Sequence, residues 1–203
     1  HSAFLNNIKN IIFLGSSCIY PKHSRQPILE EYLLTGELEP TNEAYAIAKI
    51  AGVKMCEFYN KQYEKSHNLD YRSIMPTNLY GYGDNYDLND SHVIPALMRK
   101  IHEAKVLKKP YVEIWGTGKA KRDFLFVEDL ATIIEQVLKT SKKNFFVKGY
   151  NYNHLNIGSA EEISIKKLVK LLCQIIGYKN KIKFNTKMPD GTMKKLLDIS
   201  KLK

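Results

Sequence analysis

The sequence lacks the marks of a membrane protein and of a disulfide-bonded secreted protein. No apolar run approaches the roughly 20 residues needed to cross a bilayer, and the start HSAFLNNIKN lacks the basic-then-apolar order of a signal peptide. The three cysteines, Cys18, Cys56 and Cys173, are odd in number, widely spaced and without a CxxC pair. We therefore expect a protein of the reducing cytoplasm with no disulfide framework, no metal site and no membrane partner.

Acidic residues are few relative to basic ones. The 203 residues include 31 Lys and Arg against 21 Asp and Glu, which gives a formal net charge of +10. This balance suits nucleic acid, a membrane surface or a phosphorylated small molecule. The lysine excess lies mostly at positions 166–203, where a solvated face explains it equally well. Since no helix-turn-helix, zinc-finger, KH or RRM signature accompanies the charge, we expect no nucleic-acid partner.

Short apolar runs alternate with amphipathic segments along the chain. The run at positions 10–15 is rich in β-branched residues and stops at a glycine, as in a strand buried on both faces of a parallel sheet. This alternation predicts an α/β fold with a mostly parallel sheet and no internal repeat. The further predicted strands span 71–75, 111–115, 155–157 and 182–184, and the predicted helices span 42–65, 93–104, 127–139 and 163–176.

Candidate acid/base residues follow the first strand. Tyr45 and Lys49 lie four residues apart on a predicted helix and share one of its faces, and an ammonium beside a phenol favours the phenolate. This spacing also arises often by chance. Ser16 and Cys18, in the segment GSSC at the end of the buried strand, add a hydroxyl that could bind a carbonyl and a thiol that could exchange protons. No GxSxG elbow or Asp/His pair accompanies them, which disfavours acyl transfer.

Six segments together carry a family resemblance. The chain contains GSSCIYP, EPTNEAYAIAKIAG, RSIMPTNLYG, SHVIPALMRK, IWGTG and RDFLFVEDLA. In these it resembles the extended short-chain dehydrogenases/reductases, and within them the GDP-L-fucose synthase family. The resemblance implies a Rossmann-like doubly wound parallel sheet with a smaller C-terminal α/β substrate-binding region. Residues 1–78 would form the second half of the NADP-binding Rossmann domain, and residues 79–203 mainly the substrate-binding region, interleaved with returning Rossmann elements.

The resemblance also implies a reaction. It is the NADPH-dependent 3,5-epimerisation and 4-reduction of GDP-4-keto-6-deoxy-D-mannose to GDP-L-fucose. In that reaction Ser16 polarises the C4 carbonyl and Tyr45 protonates its oxygen, while Lys49 favours ionisation of Tyr45 and binds the nicotinamide ribose. Cys18 and His92 match the cysteine and histidine that exchange protons at C3 and C5.

Binding residues carry over from the same resemblance. For NADP(H) they are Leu14, Gly15, Ser16, Ser17, Lys49, Pro76, Thr77, Asn78, Leu79 and His92. For the GDP-sugar substrate they are Asn78, Lys100, Trp115, Arg122 and Asp190. Taken alone, Arg122 would read equally well as a surface ion pair, Trp115 as a core indole, and Asp190 before Gly191 as a turn.

The sequence departs from the family pattern in one important respect. It contains no glycine-rich GxxGxxG turn, so we expect the chain to begin midway through the Rossmann sheet. Lys100 stands where an arginine is common, which keeps the charge and loses the planar fork. The family is commonly dimeric through the long helix that carries Tyr45, and we expect a homodimer here.

Two other readings stay open. A nucleotide-sugar 4,6-dehydratase or 4-epimerase would share the fold, but a dehydratase is expected to carry an acidic pair where this chain has Ser-Ser-Cys. A noncatalytic module that binds a nucleotide-sugar or nucleic acid would keep the fold without the chemistry.

Overall fold

The computed structural model describes residues 1–88, 90–146 and 153–202. The helices are α1 (Ser2–Leu5), α2 (Glu43–His67), α3 (Val93–Val106), α4 (Val127–Lys139), α5 (Lys142–Phe145) and α6 (Ile165–Ile176). The strands are β1 (Asn10–Leu14), β2 (Asp70–Pro76), β3 (Asn78–Tyr80), β4 (Tyr111–Trp115), β5 (Lys121–Phe126), β6 (His154–Ile157), β7 (Glu162–Ser164), β8 (Lys181–Asn185) and β9 (Lys194–Lys195). Within these ranges no helix is long and apolar enough to cross a membrane.

A parallel sheet in the order β1-β2-β6 forms the first layer, with helices on both faces. Because strand side chains alternate between faces, Phe13 points toward α2 while Ile12 packs into the cluster formed with α4. Helix α2 lies close to β1 at Gly52, where an added Cβ would be 2.2 Å from the Phe13 ring. The predicted Rossmann-like, doubly wound α/β class is confirmed.

The second layer is built around β4 and β8, which pair in parallel. Helices α3 and α6 cover one face of this pair and enclose a core. That core contains Leu97, Ile101, Val112, Ile114 and Val169. Strand β5 belongs to a third sheet, in which it pairs with β3, β7 and β9.

The sequence-based prediction is incomplete between Trp115 and Val127. It has only a turn there, whereas β5 occupies Lys121–Phe126. The predicted helix at 163–176 begins later, at Ile165, because residues 162–164 pair antiparallel with β5. Strands β3, β7 and β9 also escape prediction: each has two or three residues and exists through pairing with β5. Such pairing leaves little local periodicity to detect.

Candidate active site

The carboxyl ends of the three parallel strands meet at one edge of the sheet. Gly15 follows β1, Thr77 follows β2 and Gly158 follows β6. The backbone joins these ends, since the N–H of Gly15 donates to Ile74 O and that of Thr77 donates to Ile157 O, both at 2.9 Å. In open α/β sheets this edge is where ligands bind.

The segment after β1 is a tight turn of 3-10 form. Ser16 precedes this turn, and its Oγ accepts a hydrogen bond from the Cys18 backbone N–H at 3.2 Å. Position 15 has no room for a side chain, because an added Cβ on Gly15 would lie 2.3 Å from Met75 Sδ. Ser17 is buried, whereas Ser16 and Cys18 are half-buried. The turn therefore leaves the Ser16 hydroxyl and the Cys18 thiol partly accessible.

Helix α2 brings Tyr45 and Lys49 to this turn. The Lys49 ammonium donates to Leu14 O at 2.8 Å and lies 5.6 Å from the centroid of the Tyr45 ring. The Tyr45 side chain is half exposed. We call Ser16, Cys18, Tyr45 and Lys49 the strand-end cluster. In it the structure unites a phenol, an ammonium, a hydroxyl and a thiol, the groups that proton transfer to and from a carbonyl compound requires.

The segment after β2 is tied to β5 through Asp123. Both the Thr77 Oγ1 and the Asn78 Nδ2 donate to the Asp123 backbone carbonyl, at 3.1 and 3.0 Å. The Asn78 amide predicted to touch substrate is thus held against the neighbouring strand. Pro76 ends β2 and Leu79 lies within β3, so both predicted cofactor residues flank this junction.

Asp123 is a residue that sequence reasoning missed. Its side chain is fully buried, and its Oδ1 accepts hydrogen bonds from the Ser159 backbone N–H at 3.2 Å and the Ser159 hydroxyl at 2.5 Å. Burial raises its pKa. Its Oδ2 has no hydrogen-bond partner among the described residues. The local sequence gives little signal for it, because the burial of Asp123 depends on Ser159, 36 residues away.

A second group of predicted residues assembles around β4 and β5. The Asp190 carboxylate accepts two hydrogen bonds from Thr117, one from its backbone N–H and one from its hydroxyl, each at 2.8 Å. These hydrogen bonds lower the pKa of Asp190. The turn between β4 and β5 needs Gly116, which has φ of +76° and approaches Asp190 so closely that a Cβ would lie 2.3 Å from Oδ1.

Arg122 is the central cation of this group. Its Nη1 donates to the backbone carbonyls of Lys121 and Thr192. Burial lowers the Arg122 pKa, and the charge of Asp190 partly opposes that change. No carboxylate of the described residues lies within salt-bridge distance of Arg122. We call Trp115, Thr117, Arg122 and Asp190 the turn cluster.

Lys100 contacts the ring of Trp115, a member of the turn cluster. The Lys100 ammonium lies 4.9 Å from the centroid of the Trp115 ring, and 57% of Trp115 is exposed. The indole is therefore a surface residue rather than a core residue. Such an exposed ring beside a cation can stack with a planar base.

His92 stands apart from the other predicted site residues. It is exposed and immediately precedes α3, where its side chain makes no capping hydrogen bond. Within the described residues, no hydrogen bond or ring contact joins it to either cluster. No three His, Cys, Asp or Glu side chains in the same ranges are grouped to hold a metal ion.

Lys195 was not predicted from the sequence, yet it connects the two clusters. Its Nζ lies 3.4 Å from Cys18 Sγ, and its Cα pairs in register with that of Arg122 across β5 and β9. Cys18, Arg122 and Lys195 come from distant segments, and Cys18 and Lys195 are 177 positions apart in the sequence. No local pattern reveals such a contact.

The family assignment follows from comparison with known proteins. Residues 1–158 match the model of the NAD dependent epimerase/dehydratase family. The chain belongs to that family. It is 46% identical to a GDP-L-fucose synthase of Escherichia coli (strain K12) over 203 residues, which is 100% of this chain and 62% of that protein. The chain thus spans about three fifths of that relative's length, and the resemblance seen in its motifs is confirmed.

Two solved structures support the same family. A GDP-6-OMe-4-keto-L-xylo-heptose reductase from C. jejuni is 36% identical, with a TM-score of 0.89 over 100% of this chain and 66% of its own. A GDP-L-fucose synthetase from Naegleria fowleri bound to NADP is 27% identical, with a TM-score of 0.86 over 97% of this chain and 59% of its own.

Proposed function

We propose that the protein is an NADPH-dependent epimerase/reductase that converts GDP-4-keto-6-deoxy-D-mannose to GDP-L-fucose. One observation carries the proposal: the Lys49 ammonium donates to Leu14 O and so fixes the Tyr45–Lys49 pair against the turn that holds Ser16 and Cys18. A carbonyl reduction coupled to epimerisation at the neighbouring carbons uses this set of groups. The 46% identity to a GDP-L-fucose synthase supports the choice of substrate.

Each residue of the strand-end cluster has a role in the proposed reaction. The 4-keto group acidifies the protons at C3 and C5, which Cys18 and His92 exchange. Ser16 then hydrogen-bonds the C4 carbonyl, and Tyr45 gives its proton to the C4 oxygen during reduction. Lys49 stabilises the phenolate that remains. Bound NADPH supplies the hydride.

The chain offers a fitting surface for part of that cofactor. Leu14 ends β1 with 41% of its side chain exposed, directly beside the Lys49 ammonium. Apolar surface next to a cation suits a nicotinamide and its ribose. We assign this contact to Leu14, Gly15, Ser16, Ser17, Lys49, His92 and the segment Pro76–Leu79. On this basis residues 1–78 belong to the NADP-binding domain and residues 79–203 mainly to the substrate-binding region.

The turn cluster is assigned to the GDP half of the substrate. Arg122 has no carboxylate partner among the described residues and presents a planar fork suited to a diphosphate. Trp115, with Lys100 beside it, offers its ring to the guanine. Asp190 shapes the turn through Thr117, and Asn78 lies between this cluster and the strand ends.

Helix α2 carries an apolar stripe that supports a homodimer. The exposed residues Ile47, Ala51, Met55 and Phe58 follow one another at spacings of four, four and three residues. Ile47, Met55 and Phe58 are 53%, 50% and 56% exposed. An unpartnered apolar face of this kind marks an interaction surface. Sedimentation should show a dimer that Phe58→Glu converts to monomer. A monomeric wild-type protein would contradict the dimer.

The reaction is tested by following both steps in the whole protein. Incubated with GDP-4-keto-6-deoxy-D-mannose, the wild type should consume NADPH and form GDP-L-fucose. Cys18→Ser should abolish exchange of the C3 and C5 protons with deuterated solvent while retaining much of the hydride transfer to the 4-keto sugar. Equal loss of both steps would contradict the assigned division of roles.

Other members of the same fold define the alternatives. A 4-epimerase or a dehydratase would act on a nucleotide-sugar without net consumption of NADPH. A noncatalytic module would bind GDP, or bind nucleic acid with a strong dependence on salt, and turn over no substrate.

A further inference from the structure

The contact between Lys195 and Cys18 gives the thiol a charged partner. The Lys195 Nζ approaches Cys18 Sγ at 3.4 Å, and both side chains are half-buried. Within the described ranges no carboxylate pairs with Lys195, and the sulfur is the polar side-chain atom that its ammonium meets. A cysteine acts as a base or nucleophile in its thiolate form, which a neighbouring ammonium favours.

The other charged groups around Cys18 have partners of their own. A small recess of about 20 Å³ beside Cys18 is lined by charged side chains from three segments, Lys22, Glu39, Lys194 and Lys195. Lys22 pairs with Glu39 at 3.4 Å, and Lys194 pairs with Glu162 at 3.4 Å. Tyr20, Gln26 and Thr192 contribute the other polar side chains of the lining. Lys195 is therefore the cation directed at the sulfur.

The position of Lys195 follows from the pairing of β9. Successive residues of a strand point to opposite faces, so Lys194 turns toward Glu162 and Lys195 turns toward Cys18. The Cα of Lys195 pairs in register with that of Arg122, the residue assigned above to the diphosphate. Strand β9 thus holds Lys195 between Arg122 on β5 and the Cys18 thiol.

We propose that Lys195 is a positioning residue that pairs with the thiolate of Cys18 and holds it ready to remove a proton from the substrate. The inference rests on the proposed function. In the step it serves, the C–H bond at C3 or C5 breaks and an S–H bond forms on Cys18. The electron pair of the broken bond moves to the C4 oxygen, which becomes an enolate, and Lys195 itself transfers no proton.

The test measures the thiol directly and needs no substrate. The protein is treated with iodoacetamide, an uncharged reagent, and alkylation of each cysteine is followed by mass spectrometry from pH 5 to pH 10. Lys195→Met should slow alkylation of Cys18 about tenfold at neutral pH, because the thiol loses the ammonium that lies 3.4 Å from its sulfur. Lys195→Arg should restore most of the rate.

Lys194→Met is the matched control, since it removes the adjacent lysine on the opposite face. Its Cys18 rate should stay within about twofold of the wild type. Cys56 and Cys173 serve as internal references for folding, because a misfolded variant would expose them and speed their alkylation. Lys195→Gln provides a second variant if Lys195→Met fails this check.

Equal rates of Cys18 alkylation in the wild type, Lys195→Met and Lys195→Gln would overturn the role of Lys195 and leave the proposed reaction untouched. Equal slowing by Lys194→Met would overturn it as well, because a general loss of positive charge would then explain the effect. Failure of the whole protein to turn over the GDP-sugar would count against the proposed function alone.

Discussion

The strand-end cluster and the turn cluster are held in place by different forces. Around Ser16 and Cys18, close packing sets the geometry: Gly15 abuts Met75, and Gly52 brings α2 onto Phe13. Around Arg122, hydrogen bonds set it, since Thr117 binds both oxygens of Asp190. Close packing resists displacement of atoms by fractions of an ångström, whereas a hydrogen-bonded turn keeps its shape only while its donors and acceptors are present. The proposed chemistry lies in the first region and the proposed binding in the second.

This contrast predicts which substitutions will affect stability and which will affect nucleotide binding. Changes in packing or buried charge near the strand ends should lower the free energy of unfolding. Changes at the turn cluster should weaken nucleotide binding while leaving most of the stability intact.

The largest effect is expected from acid. His154 begins β6, at the end of that strand opposite to Gly158, and it is 95% buried with its Nε2 3.1 Å from the Tyr20 hydroxyl. Burial is the main cause that lowers the His154 pKa from 6.5 to about 4. Between pH 4 and pH 6.5 the His154 imidazole therefore binds a proton in the unfolded chain but not in the folded one. The free energy of unfolding should therefore be highest above pH 6.5 and fall by about 3 kcal/mol as the pH drops to 4.

Urea unfolding at pH 4.5 and pH 7 measures this loss. His154→Gln removes the titrating group, so the variant should lose less stability than the wild type over the same interval. An identical pH dependence in both proteins would contradict the assignment to His154.

Gly52→Ala should destabilise the strand-end region by about 2 kcal/mol, because overpacking a tight contact forces helix and sheet apart. The new methyl would lie 2.2 Å from the Phe13 ring. Gly36→Ala is the control, since its Cβ would meet its nearest atom, Pro21 Cβ, at 3.4 Å. Thermal unfolding of the two variants should therefore differ, and similar unfolding free energies would contradict close packing of α2 on β1.

Gly116→Ala should weaken GDP binding about tenfold, because the methyl would displace the Asp190 carboxylate. Gly83→Ala separates this clash from backbone strain: Gly83 has φ of +78°, close to +76° at Gly116, but nothing lies within 4 Å of its Cβ position. Both variants should lose about 1 kcal/mol of stability through the left-handed conformation. Calorimetric titration with GDP should show weaker binding for Gly116→Ala than for Gly83→Ala. Equal GDP affinities of the two variants would contradict the role of the turn.

Thr117→Val should have the smallest effect, a loss of about 1 kcal/mol in GDP binding. It removes one of the two hydrogen bonds to Asp190 and keeps the backbone one. Thr132→Val, which removes a hydroxyl bonded to Glu128 O on α4, is the control and should bind GDP normally. A loss in Thr132→Val as large as that in Thr117→Val would show that the effect is not local to the turn.

The sequence predicts the parts of the molecule whose signals are local. Helix α4 and strand β4 have the predicted bounds, because their apolar residues follow the helical and strand periods without interruption. The strand-end cluster is predictable for a similar reason. Two short segments indicate it from sequence alone. One is the buried strand that ends in Gly-Ser-Ser-Cys, and the other is the helix that carries Tyr45 and Lys49.

The remainder depends on contacts between distant segments. Strand β5 begins with Lys-Arg-Asp and reads as polar, yet Asp123 is fully buried because its side chain turns toward Ser159. Lys195 is one of many late lysines, and its approach to Cys18 depends on the pairing of β9 with β5. Local sequence cannot indicate which lysine of a basic segment meets a thiol.

Titration of Trp115 fluorescence with GDP tests the division between binding and chemistry most directly, because Trp115 is the single tryptophan of the chain. The wild type should show a saturable change, Arg122→Met should need at least about tenfold more GDP, and Cys18→Ser should match the wild type. Absence of a saturable change, or equal weakening by Arg122→Met and Cys18→Ser, would contradict the assignment of the turn cluster to the nucleotide and of the strand ends to the chemistry.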